Sequence, residues 1–199
     1  MKNISVLLFL LITLALNAQN NKTSGLNARQ FHKYWKVESE SPDYKVTFLG
    51  DTVEILSPKG LTLWRKEKMS GKVTIEYDAC VVVEVEGDRL SDLNCFWMAS
   101  DPQYPDNIWK REKWRSGIFL NCYSLQLYYM GYGGNHNSTT RFRRYDGNEA
   151  AITNAKARPA ILKEYTDADH LLEANKWYHI KITNENNRVS YYINGCLLY

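Results

Sequence analysis

Hydrophobic positions in this chain recur mostly at every second residue, in short runs broken by Gly, Asp, Asn or Pro, and that alternation predicts one strand after another. The expected strands are Tyr44 to Leu49, Thr52 to Leu56, Leu61 to Trp64, Val73 to Val85, Asn94 to Ala99, Leu125 to Tyr132, Thr139 to Tyr145, Trp177 to Asn184 and Arg188 to Ile193. Val, Ile, Tyr, Phe, Trp and Thr fill them, because branched and flat side chains suit a pleated surface. Turn chemistry such as FLGDTV and INGC separates them. No segment keeps a helical period for four turns. Short helical pieces are expected near Asn107 to Lys113 and around Asp167 to Leu172, the second begun by Thr166 or Asp167 as cap. The fold class is therefore all-β. Short alternating strands in one domain predict two packed antiparallel sheets, a jelly-roll sandwich whose curved face is open to ligands.

Residues 1–18 break the alternation. Lys2 precedes an apolar run from Ile4 to Leu16, and Leu16-Asn17-Ala18 forms a small-residue cleavage site before Gln19, the layout of a secretory leader. The run falls short of the roughly 20 residues that span a bilayer, and polar QNNKTSG follows it. No cysteine at the junction could carry a lipid. Residues 19–199 are expected to form one soluble domain, secreted or periplasmic, monomeric and free of membrane once the leader is removed. A formal net charge of +3 is too small to imply a nucleic-acid partner, so any attraction to anions must be local. Cys80, Cys95, Cys122 and Cys196 lack C-x-x-C spacing, which argues against zinc; lying in apolar strand-like runs, they read as buried free thiols.

Local charge concentrates in LYYMGYGGNHNSTTRFRRYDG, Leu127 to Gly147. Two strand-like runs flank GGNHNS, whose Gly and Asn content predicts a hairpin that visits positive φ. Alternation puts Thr139, Arg141, Arg143 and Tyr145 on one face and Thr140, Phe142 and Arg144 on the other. In the run before it, Asp92, Asn94, Phe96 and Met98 share a face opposite Leu93, Cys95, Trp97 and Ala99. The apolar set should turn inward and leave Asp92 and Asn94 open to a ligand.

The C-terminal run NKWYHIKITNENNRVSYYINGCLLY resembles the W-Y-x-I…R-V-x-x-Y-x-N-G hairpin of concanavalin A-like lectin and glucanase folds, laminin G-like domains included. Members of that superfamily add a Gly- and Phe-rich strand after the Asn-Gly turn, so the resemblance implies that a chain ending at Tyr199 lacks its last strand. Taken together, SDLNCFWMASDP, YYMGYGGNHNSTTRFRRYDG and DADHLLEANKWY resemble the secreted bacterial concanavalin-like proteins of domain-of-unknown-function family 6250, over nearly all of the mature chain. This resemblance implies a role in carbohydrate processing and assigns no chemistry.

Two chemistries compete for such a face. Glycoside hydrolysis needs two carboxyl groups about 5–9 Å apart. The E-x-D-x-x-E strand of concanavalin-like glycosidases is absent, leaving Asp92 with Glu76 or Asp78 as the alternative pair. Cleavage of a uronate glycan by β-elimination suits the arginines better, because a guanidinium matches the sugar carboxylate and stabilises the enolate-like charge that develops when the C5 proton leaves. Arg141 and Arg143, helped by Asn135, take that role. His136 is the base, since an imidazole titrates near 6.5 and a phenol near 10. Tyr132 or Tyr145 protonates the leaving oxygen. The loop QYPDNIWKREKWRSG adds Trp109, Trp114 and Arg115 as a wall for an anionic polysaccharide, with Tyr104, Lys110 and Arg111 beside them. No cofactor is expected. Calcium would fall to Asp101, Asp106 or Asp146, although no D-x-D-x-D loop supports it. A non-catalytic carbohydrate-binding module remains the rival function.

Overall fold

The computed structural model describes residues 6–11 and 27–199. Its strands are β1 (Val6–Leu11), β2 (Trp35–Ser39), β3 (Lys45–Leu49), β4 (Thr52–Ser57), β5 (Leu61–Arg65), β6 (Val73–Val82), β7 (Leu93–Ser100), β8 (Gln126–Gly133), β9 (Thr139–Asp146), β10 (Ile161–Tyr165), β11 (Trp177–Glu185), β12 (Arg188–Ile193) and β13 (Cys196–Leu197). Among the described residues they form a seven-stranded sheet in the order β13-β12-β11-β6-β1-β4-β3, a four-stranded sheet β10-β9-β8-β7, and the pair β2-β5. All named pairings are antiparallel.

The molecule is a two-layer antiparallel β-sandwich of jelly-roll type. Directly paired residues share a side of their sheet, so the register Ala79–Leu10–Val53 puts the inward positions of β6 and β4 on one face. On that face Ala79, Val81, Ile180, Ile182 and Tyr191 meet Leu93, Trp97, Met130, Tyr132 and Phe142 of the four-stranded sheet. Farther along, Val53 and Ile55 meet Phe31 with Val37, Leu61 and Leu63, so β2-β5 extends the second layer. Trp97 stacks on Tyr128 and Tyr191 at 5.8 and 5.9 Å and ties the layers together. Each such side chain stabilises the fold by about 1.5–3 kcal/mol through burial alone.

Each of the nine runs expected from alternation is a strand, with ends shifted by a few residues. The additions have physical reasons. β10 is a largely exposed edge strand with little apolar pattern, β13 is two residues long, and β2 is a five-residue strand carrying Lys36 and Glu38. β1 uses the apolar run read above as the leader's core, seated between β4 and β6. Lys2 and the expected cleavage site at Leu16 to Ala18 lie outside the described residues. Removal of residues 1–18 would take β1 with it and leave the edges of β4 and β6 that pair with it without a partner.

The helical pieces are short. Ile108–Arg111 is a 3-10 turn that runs into a helical turn at Glu112–Arg115. Asp167 stands at the cap position of Ala168–His170, but its carboxylate engages His170 Nδ1 at 2.6 Å instead of a backbone amide. All four cysteines are free; Cys80 and Cys122 are buried and Cys95 partly so, whereas Cys196 is exposed on the edge strand β13, against the expectation of burial.

Candidate functional site

The β8–β9 connection bends back by an unusual route. Gly133 has φ +65°, and Asn135, His136 and Asn137 follow with φ of 51°, 57° and 55°, a left-handed turn of three consecutive non-glycine residues. Left-handed backbone costs roughly 1–2 kcal/mol per L-residue, and Asn is among the few residues that tolerate it. Side chains hold it shut. Asn137 Nδ2 donates to the Leu172 carbonyl and Asn137 Oδ1 accepts from the Leu172 amide, both at 2.8 Å. Asn135 Nδ2 donates to Ser138 Oγ at 3.0 Å. The turn leaves His136 exposed.

Register then assembles a row across the four-stranded sheet. Asn94 of β7 lies opposite Gly131 of β8, Gly131 opposite Arg141 of β9, and Arg141 opposite Glu164 of β10. The next row is Phe96, Tyr129 and Arg143. These side chains point away from the sandwich core. A Cβ at position 131 would sit 2.1 Å from the Tyr129 hydroxyl, so glycine is what lets this phenol lie over the sheet. Its hydroxyl therefore sits between Asn94 and Arg141 and donates to Asn94 Oδ1 at 3.0 Å. Burial, and secondarily the Asp92 carboxylate, push the Tyr129 phenol well above the ordinary tyrosine range, while Arg143 and Arg141 pull it partly back. It is protonated at neutral pH.

Other groups frame this row. Arg141 Nε bonds Glu164 at 2.5 Å, and Arg143 donates to the Pro159 carbonyl. Asp92 pairs with Arg89 and holds φ 65°, a further left-handed residue beside the turn. A groove of about 1910 Å³ opens here, with Asp92, Asn94, Asn135, His136, Arg141 and Arg143 on its lining. Lys66, Lys68 and Lys72, in the β5–β6 connection, line it too. Ten lining residues are Lys or Arg and five are Asp or Glu, an excess larger than the +3 of the whole chain. The positive field is concentrated in the groove.

Several expected site residues lie outside the groove or are covered within it. Tyr132 points into the core: its hydroxyl donates to the Leu171 carbonyl at 3.2 Å, and burial followed by Tyr178 raises its pKa. The three-residue step from Tyr129 to Tyr132 crosses the pleat and reverses the face. Tyr145 has the right parity but is 1% exposed, packed under Tyr123 and Tyr129 with ring centroids at 4.8 and 5.5 Å. Arg115 is fully buried; Nη2 and Nε bond Glu38 at 2.6 and 3.2 Å, and Nη1 bonds the Ile108 carbonyl at 2.8 Å. Trp114 carries the Arg111 guanidinium 5.1 Å from its ring centroid and is not among the groove-lining residues, whereas Trp109 is. Met98 leaves the alternation at a bulge, with φ 55°.

The alternative carboxylates are engaged as well. Glu76 pairs with Lys181 at 3.1 Å, both on the groove's lining, and Asp78 with His179 at 2.8 Å. Asp101 is buried and bonds Arg111 through both oxygens at 2.7 Å. Among the described residues no group of three or more His, Cys, Asp or Glu side chains converges as a metal site would.

Tyr129, Glu164 and Phe119 were not read as site residues from sequence. Tyr129 was accessible by parity, since it shares a face with Gly131 and pairs with Arg143. Glu164 depends on β10, which alternation does not reveal. Comparison with curated proteins and with solved structures returned no match. Residues 55–199, well over half of the chain, match the model described as a domain of unknown function, DUF6250, and the chain belongs to that family.

Proposed function

We propose that this is a secreted concanavalin-like protein that acts on acidic polysaccharide, most plainly as a lyase that cleaves uronate glycans by β-elimination. The observation that carries this reading is the protonated Tyr129 hydroxyl, held over Gly131 between Asn94 and Arg141 at the floor of an open, positively charged groove. Arg141 and Asn94 receive the sugar carboxylate and stabilise the negative charge that spreads onto it when C5 loses its proton. His136, at the rim, takes that proton as base. The C4–O4 bond breaks, a C4=C5 double bond forms, and the departing O4 takes a proton from Tyr129. Tyr129 thus replaces Tyr132 and Tyr145 in the acid role. Burial keeps its proton in place until a leaving oxygen arrives.

A non-catalytic binding module is the second reading, favoured by the engagement of Arg141 with Glu164 and of Arg143 with the Pro159 carbonyl. Incubation with polygalacturonate, alginate, glucuronan and hyaluronan separates the two. The lyase reading expects a product with new ultraviolet absorbance. Salt-sensitive retention on one of these polymers without absorbance would select the module, and new reducing ends without absorbance would defeat both.

A further inference from the structure

Phe119 is 36% exposed, although its ring packs edge-on against Tyr129 at 5.6 Å and tilts against Phe96 at 6.1 Å. It lines the same groove as Asn94 and Arg141. Exposed aromatics on loops usually lie on mobile backbone, but this one is fixed from both sides. Before it, Ser116 and Gly117 hold φ of 46° and 71°. A Cβ at Gly117 would lie 2.6 Å from the Glu38 carbonyl oxygen, so glycine brings this backbone directly onto β2. The fully buried Arg115–Glu38 pair locks the same junction, and Asn121 Nδ2 bonds the Trp114 carbonyl at 3.0 Å. After it, Cys122, Tyr123 and Ser124 are buried within the turn Phe119–Ser124. The Tyr145 hydroxyl is buried without a hydrogen-bond partner.

We infer that Phe119 is a stacking platform for a second sugar ring, next to the ring whose carboxylate meets Asn94 and Arg141. Sugar rings present apolar C–H faces, and a rigid aromatic gives contact area at small entropic cost. Along the groove the order is the polar row over Gly131, then the Tyr129 ring, then Phe119. The ligand is therefore an acidic oligosaccharide of at least two units. Phe119 contributes affinity and no chemistry. Arg115, expected from sequence to touch substrate, instead braces the loop that presents Phe119.

This inference rests on the acidic-glycan reading of the groove, and one experiment separates their failures. Calorimetric titration of a Tyr129→Phe protein, which keeps the ring contact with Phe119 and removes the proposed acid, uses galacturonic acid and the hexamers of galacturonate and of alginate. Adding Phe119→Ala is expected to weaken hexamer binding about three- to ten-fold and to leave the monomer unchanged. Phe119→Leu keeps an apolar side chain without an aromatic face and, with an unchanged melting temperature, is expected to behave like the alanine variant; Phe119→Tyr restores affinity. Unchanged hexamer affinity in the alanine and leucine variants overturns the platform and leaves the acidic-glycan reading standing. Failure of both wild type and Tyr129→Phe to bind any of these probes overturns both.

Discussion

The two faces of the four-stranded sheet are built from the same strands and serve opposite ends. Toward the seven-stranded sheet, Leu93, Trp97, Met130, Tyr132 and Phe142 close the hydrophobic interior. Away from it, Leu127, Tyr129 and Tyr145 are covered by Trp64, Cys122 and Tyr123, and the cover stops at Phe119 and Phe96. Beyond that line Asn94 and Arg141 are half-buried and line the groove, with Gly131 beneath the Tyr129 ring. The difference is one of cover, not composition. Tyr129 and Tyr132 are both buried phenols with raised pKa values, yet one lends its hydroxyl to the groove and the other to a core carbonyl.

The comparison breaks first at the brace of the cover. Arg115→Ala leaves Glu38 as a buried carboxylate without its partner, and a loss of about 3–5 kcal/mol in denaturant unfolding is expected. A loss below about 1 kcal/mol would mean that the loop stands without this pair. Next come sequence neighbours on opposite faces. Phe142→Ala should cost about 3–5 kcal/mol of stability through the cavity it opens. Arg141→Ala should cost about 1 kcal/mol or less, because its ion pair with Glu164 is partly exposed, while abolishing retention on acidic polymer. Equal stability losses at 141 and 142 would erase the distinction between the faces.

Asp101 gives a smaller, pH-dependent effect. Burial works to raise its pKa, but the Arg111 hydrogen bonds, the Gln103 amide and the charges of Arg111 and Arg115 outweigh it and leave the pKa lowered. A carboxyl whose folded pKa lies below its unfolded value of about 3.9 contributes stability that is fully present above that pH and lost as pH falls through the folded value. The melting-temperature deficit of Asp101→Asn should thus be full at neutral pH and shrink below about pH 4. A deficit that stays constant down to pH 2, about two units lower, would contradict the role assigned to this pair.

Much of this was legible in the chain. Alternation located the strands, and parity placed Arg141, Arg143, Asp92 and Asn94 on the face that proves to line the groove. GGNHNS announced a positive-φ turn through its Gly and Asn content. The rest depended on distant segments. Parity alone makes Tyr145 a site residue; Tyr123 folding over it removes it from solvent. Nothing near Arg115 in sequence announces Glu38, which arrives from 77 residues away on β2. Gly131 matters only because Tyr129 bends over it, a side-chain lean that a binary pattern does not encode.

The central claim is that Tyr129 supplies a proton in the groove, and Tyr129→Phe tests it most directly, since only an oxygen is removed. Release of ultraviolet-absorbing product should be followed for wild type and variant on whichever acidic polymer the wild type cleaves, alongside retention on the same polymer. The account predicts retained binding and a rate at least about 100-fold lower, the scale of a lost general acid. A variant that binds and cleaves like wild type would contradict it.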